Sequence, residues 1–331
     1  MQYLKRNRLS AQDYIEGVLK GDKVVLSRAI TLIESQLGAD KELSMEVLEG
    51  ILPQTGSAKR IGITGVPGVG KSTFIEALGE HLIARGCKVA VLAVDPSSQR
   101  SKGSILGDKT RMPGLSNSPQ AFIRPSAAGT SLGGVAHNTR EALLLCEAAG
   151  YDIVLVETIG VGQSETLVHN MVDFFLLLKL AGAGDELQGI KKGIMEMADA
   201  VVITKADGAN QKAAKEAQAT FQGALHLLLS SGSEWMPPVL TCSALNGTGI
   251  DEIWQTVEKH HGWMTEQSLF SSKRASQRMS WMQECVRREL DQSISSDPRM
   301  FSKMEGMKQQ VMEGSLLPAK AAQELLRGLF K

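Results

Sequence analysis

The sequence has no excess of either charge, because its 331 residues contain 36 Lys and Arg against 36 Asp and Glu. This balance excludes the overall basic field that attracts nucleic acid and the strongly acidic character of a solvating chain. A long hydrophobic run is also missing. The clearest apolar stretch, residues 174–178, is far shorter than the ~18 residues of a membrane-spanning helix. We therefore expect neither a nucleic acid nor a membrane as a partner.

Paired cysteines are missing as well. Cys87, Cys146, Cys242 and Cys285 form neither a CxxC pair nor a Cys–His cluster, so we interpret them as reduced, mostly buried thiols. The basic N-terminal stretch MQYLKRNRLSAQDY is not followed by the apolar segment of a secretory signal. These features predict a cytoplasmic protein.

An alternation of short apolar runs with helical stretches predicts an α/β fold. Nearly continuous apolar runs, as in strands covered on both faces, occur at residues 60–64, 88–94, 121–125, 152–156, 173–179, 200–204 and 238–241. The helical stretches between them favour right-handed βαβ units. We therefore expect a mostly parallel central sheet flanked by helices.

Helical patterns extend this core at both ends, so we predict an N-terminal helical segment at residues 1–57, a core domain at 58–262 and a C-terminal helical arm at 263–331. The pair His260-His261 is expected to end a surface helix rather than bind metal. In the arm, apolar residues recur at helical spacing, namely Met279, Met282, Val286 and Leu290. The residues alone leave open whether this arm packs on its own core or on another subunit.

A glycine-rich motif carries the strongest chemical signal. GVPGVGKST fits the pattern GxxxxGK[ST] and stands between a predicted strand and a predicted helix. Its backbone N–H groups can surround phosphates, Lys71 can reach the β- and γ-phosphates, and Ser72 can ligate Mg²⁺. This motif makes the predicted fold a P-loop NTPase. Its predicted nucleotide contacts are Gly65, Val66, Pro67, Gly68, Val69, Gly70, Lys71, Ser72 and Thr73.

Two later strand ends resemble the base-reading elements of GTPases. The sequence TKAD places Thr204, Lys205 and Asp207 after an apolar run; a carboxylate there can accept hydrogen bonds from N1–H and the 2-amino group of guanine, which adenine does not offer. A second run is followed by Ser243-Ala244-Leu245, which resembles a loop whose N–H groups contact guanine O6. Leu245 stands where that loop usually has Lys. Each element alone is weak, and their order after the P-loop predicts GTP and GDP as ligands.

An acidic strand end predicts part of a magnesium shell. Glu157, in ETIG after the run YDIVLV, resembles the DxxG element with Glu in place of Asp. Asp95 and Asp108 are further candidates for the Mg²⁺ shell, although a carboxylate in a loop, as at Asp108, can equally cap a turn or face solvent. Gln163, just beyond ETIG, is a candidate for orienting the attacking water, and the residues leave other candidates open.

These motifs together resemble the MeaB/ArgK family of P-loop GTPases, which includes the methylmalonic aciduria type A protein. The strings that carry the resemblance extend over nearly the whole chain: GVPGVGKST, AVDPSS, GSILGDKTRM, VETIGVGQSE, AGAGDELQGIKKGIMEMAD and TKAD. The resemblance implies a GTPase that chaperones adenosylcobalamin-dependent methylmalonyl-CoA mutase by gating cofactor loading and protecting the enzyme. It also implies a homodimer formed through the C-terminal extension, a Mg²⁺ shell containing Asp95, Asp108 and Glu157, and a third switch near residues 180–191.

Two other functions remain open at this point. A P-loop kinase for a small metabolite or a transport protein would need an acceptor pocket and usually an Arg-rich lid, whereas TKAD argues for recognition of a guanine base. A GTPase that inserts nickel or cobalt would need a Cys/His constellation near the nucleotide, and the sequence has none there. Nucleotide preference, phosphate transfer and metal binding discriminate among the three.

Overall fold

The computed structural model describes residues 8–94, 111–125, 132–158, 164–181, 192–229 and 234–329. These residues form two compact units, the first ending at Ser271 and the second beginning at Ser272. Within the described residues, every strand belongs to the first unit, and the second unit is helical.

One sheet organises the first unit. Its strands are β1 (Lys59–Gly65), β2 (Val89–Val94), β3 (Ala121–Arg124), β4 (Ile153–Thr158), β5 (Phe174–Leu180), β6 (Ala200–Thr204) and β7 (Val239–Thr241). Within the described residues, these seven strands are all parallel and lie in the order β3-β2-β4-β1-β5-β6-β7. The prediction of a mostly parallel sheet is confirmed. From the central β1 the chain first builds the sheet toward the edge formed by β3, and later builds it toward the opposite edge formed by β7. The direction of strand addition therefore reverses beside β1, and the ligand crevice of such sheets lies at the carboxyl end of the strands at this point.

Helices connect the strands and extend the chain at both ends. In the first unit they are α1 (Ala11–Leu19), α2 (Lys23–Ile33), α3 (Gly38–Ile51), α4 (Lys71–Ala84), α5 (Pro113–Asn117), α6 (Leu132–Ala148), α7 (Ser164–His169), α8 (Lys192–Met197), α9 (Gln211–Leu229) and α10 (Ile250–Glu266). Helix α11 (Leu269–Ser296) continues into the second unit, which also contains α12 (Pro298–Met312) and α13 (Pro318–Leu329). No helix in the described ranges is long and apolar enough to cross a bilayer.

The N-terminal helices share a core with the sheet. Val18, Ile30 and Ile51 are buried in one hydrophobic cluster with Val154 of β4 and Phe175 of β5. Burial of such aliphatic side chains stabilises the fold by about 1.5–3 kcal/mol each. The segment therefore packs as a layer of the first unit, and the domain boundaries placed at residues 57 and 262 stay predictions.

The opposite face of the sheet carries α4 and α10. Phe74 and Leu78 of α4 and Ile253 of α10 are fully buried against Ile63 of β1 and Leu176 of β5. A further cluster packs α9 on β6. Because both faces are covered, the strands need continuous apolar runs, as the sequence shows.

A buried ion pair fixes the start of β1. The guanidinium of Arg60 donates through Nε to Glu147 Oε1 of α6 at 2.8 Å, and the N–H of Gly56 donates to Glu147 Oε2, also at 2.8 Å. The backbone N–H of Arg60 donates to Asp173 Oδ2, just before β5, at 2.8 Å. These contacts hold β1 against its neighbours at the end opposite the glycine-rich loop.

One local expectation is wrong. His260 does not end a surface helix: it is only 4% exposed, and its ring lies 5.1 Å from that of Phe174 and 4.8 Å from that of Trp235. The sequence around His260 is polar and does not indicate that this side chain is buried, because its aromatic partners Phe174 and Trp235 come from distant segments.

Gly62 in β1 gives a test of the packing. A Cβ there would lie 2.8 Å from both Phe175 Cδ2 and Val168 Cγ1, so we expect Gly62→Ala to destabilise the protein by about 1–3 kcal/mol through overpacking. Gly223→Ala in α9, where a Cβ meets open space, is the control and should be neutral or stabilising. Urea unfolding measures both, and a Gly62→Ala midpoint equal to that of the wild type would contradict the packing described.

Candidate nucleotide-binding site

The glycine-rich loop joins the end of β1 to the start of α4. Gly65, Gly68 and Gly70 have φ angles of +153°, +81° and +96°, which side chains rarely adopt. At Gly65 a Cβ would also lie 2.6 Å from the carbonyl oxygen of Leu178 in β5. The loop can therefore pass close to the neighbouring strand and present its N–H groups, with the N-terminus of α4, to an anion.

Lys71 is the buried cation of this loop. Its side chain is 8% exposed, and its Nζ donates to the carbonyl oxygen of Gly65 at 2.7 Å. Burial lowers the pKa of the Lys71 ammonium, while the negative charges of Glu157 and Glu165 act in the opposite direction. The two carboxylates therefore favour the charged form that phosphate binding requires.

The TKAD element is tied directly to the glycine-rich loop. Thr204, the last residue of β6, donates through Oγ1 to the carbonyl oxygen of Val69 at 2.7 Å. Lys205 donates through Nζ to the carbonyl oxygen of Gly68 at 2.9 Å. The structure thus brings together two elements that lie more than a hundred residues apart in the sequence, as the strand order predicts.

The SAL element meets TKAD on the other side. The hydroxyl of Ser243, which is 1% exposed, donates to Asp207 Oδ2 at 2.6 Å. The N–H of Ala206 donates to the carbonyl oxygen of Cys242 at 2.9 Å. Burial, together with the nearby Asp207 charge, raises the pKa of the Cys242 thiol to about 12. The hydrogen bond from the Ser243 hydroxyl orients the Asp207 carboxylate. Leu245, the last residue of the SAL element, is 81% exposed.

Glu157 lies at the acidic end of β4. It is 6% exposed and in register with Ile63 of β1, two residues before the glycine-rich loop. The strand continues one residue beyond it to Thr158, whose hydroxyl donates to Thr64 Oγ1 at 2.9 Å. Together with the hydroxyl of Ser72, this carboxylate offers the oxygen ligands that Mg²⁺ prefers.

Three predicted site residues, Asp95, Asp108 and Gln163, lie outside the described residues. Most of the predicted third switch, residues 182–191, also lies outside them. The structure brings together the remaining predicted residues of the glycine-rich loop, TKAD, SAL and the end of β4. Their roles stay predictions.

The sequence reasoning missed two residues of this region. Glu165, in the first turn of α7, is 1% exposed and its charge acts on Lys71. Asn210 donates through Nδ2 to the carbonyl oxygen of Lys205 at 2.7 Å. Glu165 belongs to the family-like string VETIGVGQSE and Asn210 follows TKAD by three residues, so their positions beside motifs were the available signal.

Comparisons with known proteins give a consistent result. The family model described as "Methylmalonyl Co-A mutase-associated GTPase MeaB" matches residues 26–299. The chain is 48% identical over 284 residues to the GTPase ArgK of Escherichia coli, covering 86% of each chain. It is 43% identical over 321 residues to the mitochondrial methylmalonic aciduria type A homolog of Mus musculus, covering 94% of this chain and 77% of the mouse protein.

A solved structure shows the same fold. The crystal structure of a protein named "LAO/AO transport system kinase" matches with a TM-score of 0.77 and 38% sequence identity, over 97% of this chain and 98% of that one. The P-loop fold predicted from the sequence is confirmed by this match and by the parallel sheet.

Asp207 provides the test of base recognition. Each charge-assisted hydrogen bond to guanine contributes about 1.5–3 kcal/mol, so we expect Asp207→Asn to weaken GTP binding by about tenfold or more. The Asn amide would face the 2-amino group of guanine, whereas it can donate to the 2-carbonyl oxygen of xanthine. Affinity for XTP should therefore rise.

Competition binding with GTP, XTP and ATP measures the change, with Lys212→Ala on the exposed surface of α9 as the control. Unchanged GTP affinity in Asp207→Asn, or a wild type that prefers ATP, would contradict base reading by TKAD.

Proposed function

Because this chain belongs to the MeaB family of methylmalonyl-CoA mutase-associated GTPases, we propose that it is the GTP-dependent chaperone of an adenosylcobalamin-dependent methylmalonyl-CoA mutase. The chain is a GTPase, and the proposal concerns the partner that its nucleotide cycle serves. In this function the protein gates loading of the cofactor into the mutase and protects the loaded enzyme.

One observation supports a nucleotide cycle above the others: the phosphate loop and the base loop form one hydrogen-bonded unit through Thr204 and Lys205. Guanine at Asp207 and phosphates at Lys71 would be held from the two ends of this unit. The backbone N–H groups of residues 65–73, apart from Pro67, which has none, orient the phosphate chain, and the Lys71 ammonium stabilises the charge that grows on the β- and γ-phosphates during hydrolysis. Ser243 keeps the Asp207 carboxylate in position. Ala244 and Leu245 follow Ser243 in the sequence.

The donor set fits a magnesium ion. The Ser72 hydroxyl and the Glu157 carboxylate are hard oxygen ligands next to the phosphate loop, and we propose that Asp95 and Asp108 complete the shell. When bound, Mg²⁺ neutralises charge on the β- and γ-phosphate oxygens. Gln163 remains our candidate for orienting the attacking water.

The second unit offers a surface for self-association. On α11, Met279, Met282 and Val286 repeat at helical spacing and are each more than half exposed, at 54%, 52% and 52%. Exposed apolar stripes of this kind mark contact surfaces. We propose that this stripe is part of a homodimer interface.

A P-loop kinase is the alternative function that must be distinguished from a GTPase. The similar protein whose crystal structure is solved is named a transport system kinase. A kinase and a GTPase can both use the same P-loop. The base contacts predicted for Asp207 favour a guanine-nucleotide switch, because such switches use recognition of the guanine base. Release of inorganic phosphate from GTP without transfer to a metabolite or transport protein would separate the two.

The mutase assay tests the proposal directly. Purified mutase is followed for its rate of inactivation during turnover, with this protein and GTP present. We expect the wild type to lower that rate, and Lys71→Ala to lose the effect together with a drop in GTP turnover of about a hundredfold. Lys212→Ala should match the wild type. A mutase with the same inactivation rate in the presence and absence of this protein, with GTP and with GDP, would refute the proposed partner.

The dimer is tested in the full-length chain. Met282→Glu combined with Val286→Glu places two charges on the apolar stripe, so we expect sedimentation to change from a dimer to a monomer while GTP binding stays unchanged. Gln211→Glu, on the exposed surface of α9 in the first unit, adds a charge away from the stripe and is the control, which should leave a dimer. A wild type that is monomeric at micromolar concentration would contradict the interface.

A further inference from the structure

The backbone of Lys205 is held in an unusual conformation. Its φ of +56° lies in the left-handed region, which among the described non-glycine residues is shared only with Ser268. A side chain disfavours this region, so surrounding contacts must hold Lys205 there. Lys205 follows β6 and precedes the base-reading Asp207 by two residues, so its conformation sets the direction in which the TKAD loop leaves the sheet.

Asn210 is the side chain that contacts the Lys205 backbone. Its Nδ2 donates to the carbonyl oxygen of Lys205 at 2.7 Å, and its own N–H donates to the carbonyl oxygen of Asp207 at 2.9 Å. Because the partner of the side chain is a carbonyl oxygen, the amide nitrogen and not the amide oxygen must face it. With these two hydrogen bonds, Asn210 holds the loop that runs from Lys205 to Asn210 and contains Asp207.

The Lys205 side chain carries this constraint to the phosphate loop. Its Nζ donates to the carbonyl oxygen of Gly68 at 2.9 Å, and the next residue, Ala206, donates through its N–H to Cys242 of the strand end before Ser243. The peptide that Asn210 holds is therefore the point where contacts to the phosphate loop and to the SAL loop meet.

We propose that Asn210 is a positioning residue for guanine recognition, acting through the Lys205 peptide on Asp207. It orders the base loop before the nucleotide binds, and binding then loses less conformational freedom. The proposal rests on the GTP-binding function of the TKAD loop. It assigns Asn210 no contact with the nucleotide and no part in the hydrolytic step.

Two substitutions separate this role from a merely structural one. Asn210→Ala removes the donor. Asn210→Asp keeps the size, and Asp is as good as Asn at the start of a helix, but its carboxylate would face the Lys205 carbonyl oxygen and repel it. If Asn210 only supports the start of α9, Asn210→Asp should behave like the wild type. If it positions Lys205, Asn210→Asp should be the worse of the two variants.

The experiment measures Kd for GTP, ITP and ATP, together with KM and kcat for GTP, in both variants and in Gln211→Ala as the exposed neighbouring control. We expect the Kd and KM for GTP to rise about fivefold in Asn210→Ala and more than about tenfold in Asn210→Asp, the effect of one net hydrogen bond and of one added repulsion. The value of kcat at saturating GTP should change less than KM. Preference for GTP over ITP, which lacks the 2-amino group, should fall, and weak ATP binding should not change.

The outcomes are distinct. Equal GTP affinity and GTP/ITP preference in wild type and Asn210→Asp would overturn the positioning role and leave the GTPase function intact. A loss of ATP binding and of thermal stability in parallel with GTP affinity would also overturn it, because the residue would then support the fold as a whole. A wild type without preference for guanine would instead refute base recognition by TKAD itself.

Discussion

The proposed nucleotide site depends on the contact between the end of β6 and the glycine-rich loop. Thr204 and Lys205 donate to consecutive carbonyl oxygens, those of Val69 and Gly68, although β6 is separated from β1 by β5 in the sheet. The contact fixes the distance between the glycine-rich loop and the TKAD loop, to which we assign the phosphates and the base of the nucleotide. A ligand must carry both groups at that spacing, as a nucleoside triphosphate does.

The fold around Lys71 acts on its charge in two opposite directions. Burial disfavours the ammonium, and Glu157 on β4 and Glu165 on α7 oppose that effect. Helix α7 can come close to the sheet because β1 has Gly62 in the facing position, where a Cβ would overlap Val168 of α7. A small residue in the central strand thus contributes to the electrostatics of the phosphate loop, which lies three residues further along the chain.

Most of the first unit could be predicted from the sequence, because its signals are local. The continuous apolar runs predicted all the strands of the described sheet, and GVPGVGKST and TKAD follow strands whose ends meet at one edge. The side-chain contacts of Asn210 and Glu165 could not be predicted, since they depend on loop direction and helix position. The prediction for His260 was wrong for the same reason, because Phe174 and Trp235 contact it from segments that no pattern near His260 indicates.

The central position of β1 also constrains the order of folding. Its hydrogen-bonded neighbours are β4 and β5, which end at Thr158 and Leu180. During synthesis the phosphate loop is therefore made early but cannot take its final place until more than a hundred further residues have emerged. Such long-range pairing slows folding and leaves apolar strands exposed in the meantime. The nascent chain thus carries its most recognisable motif long before it can bind a nucleotide.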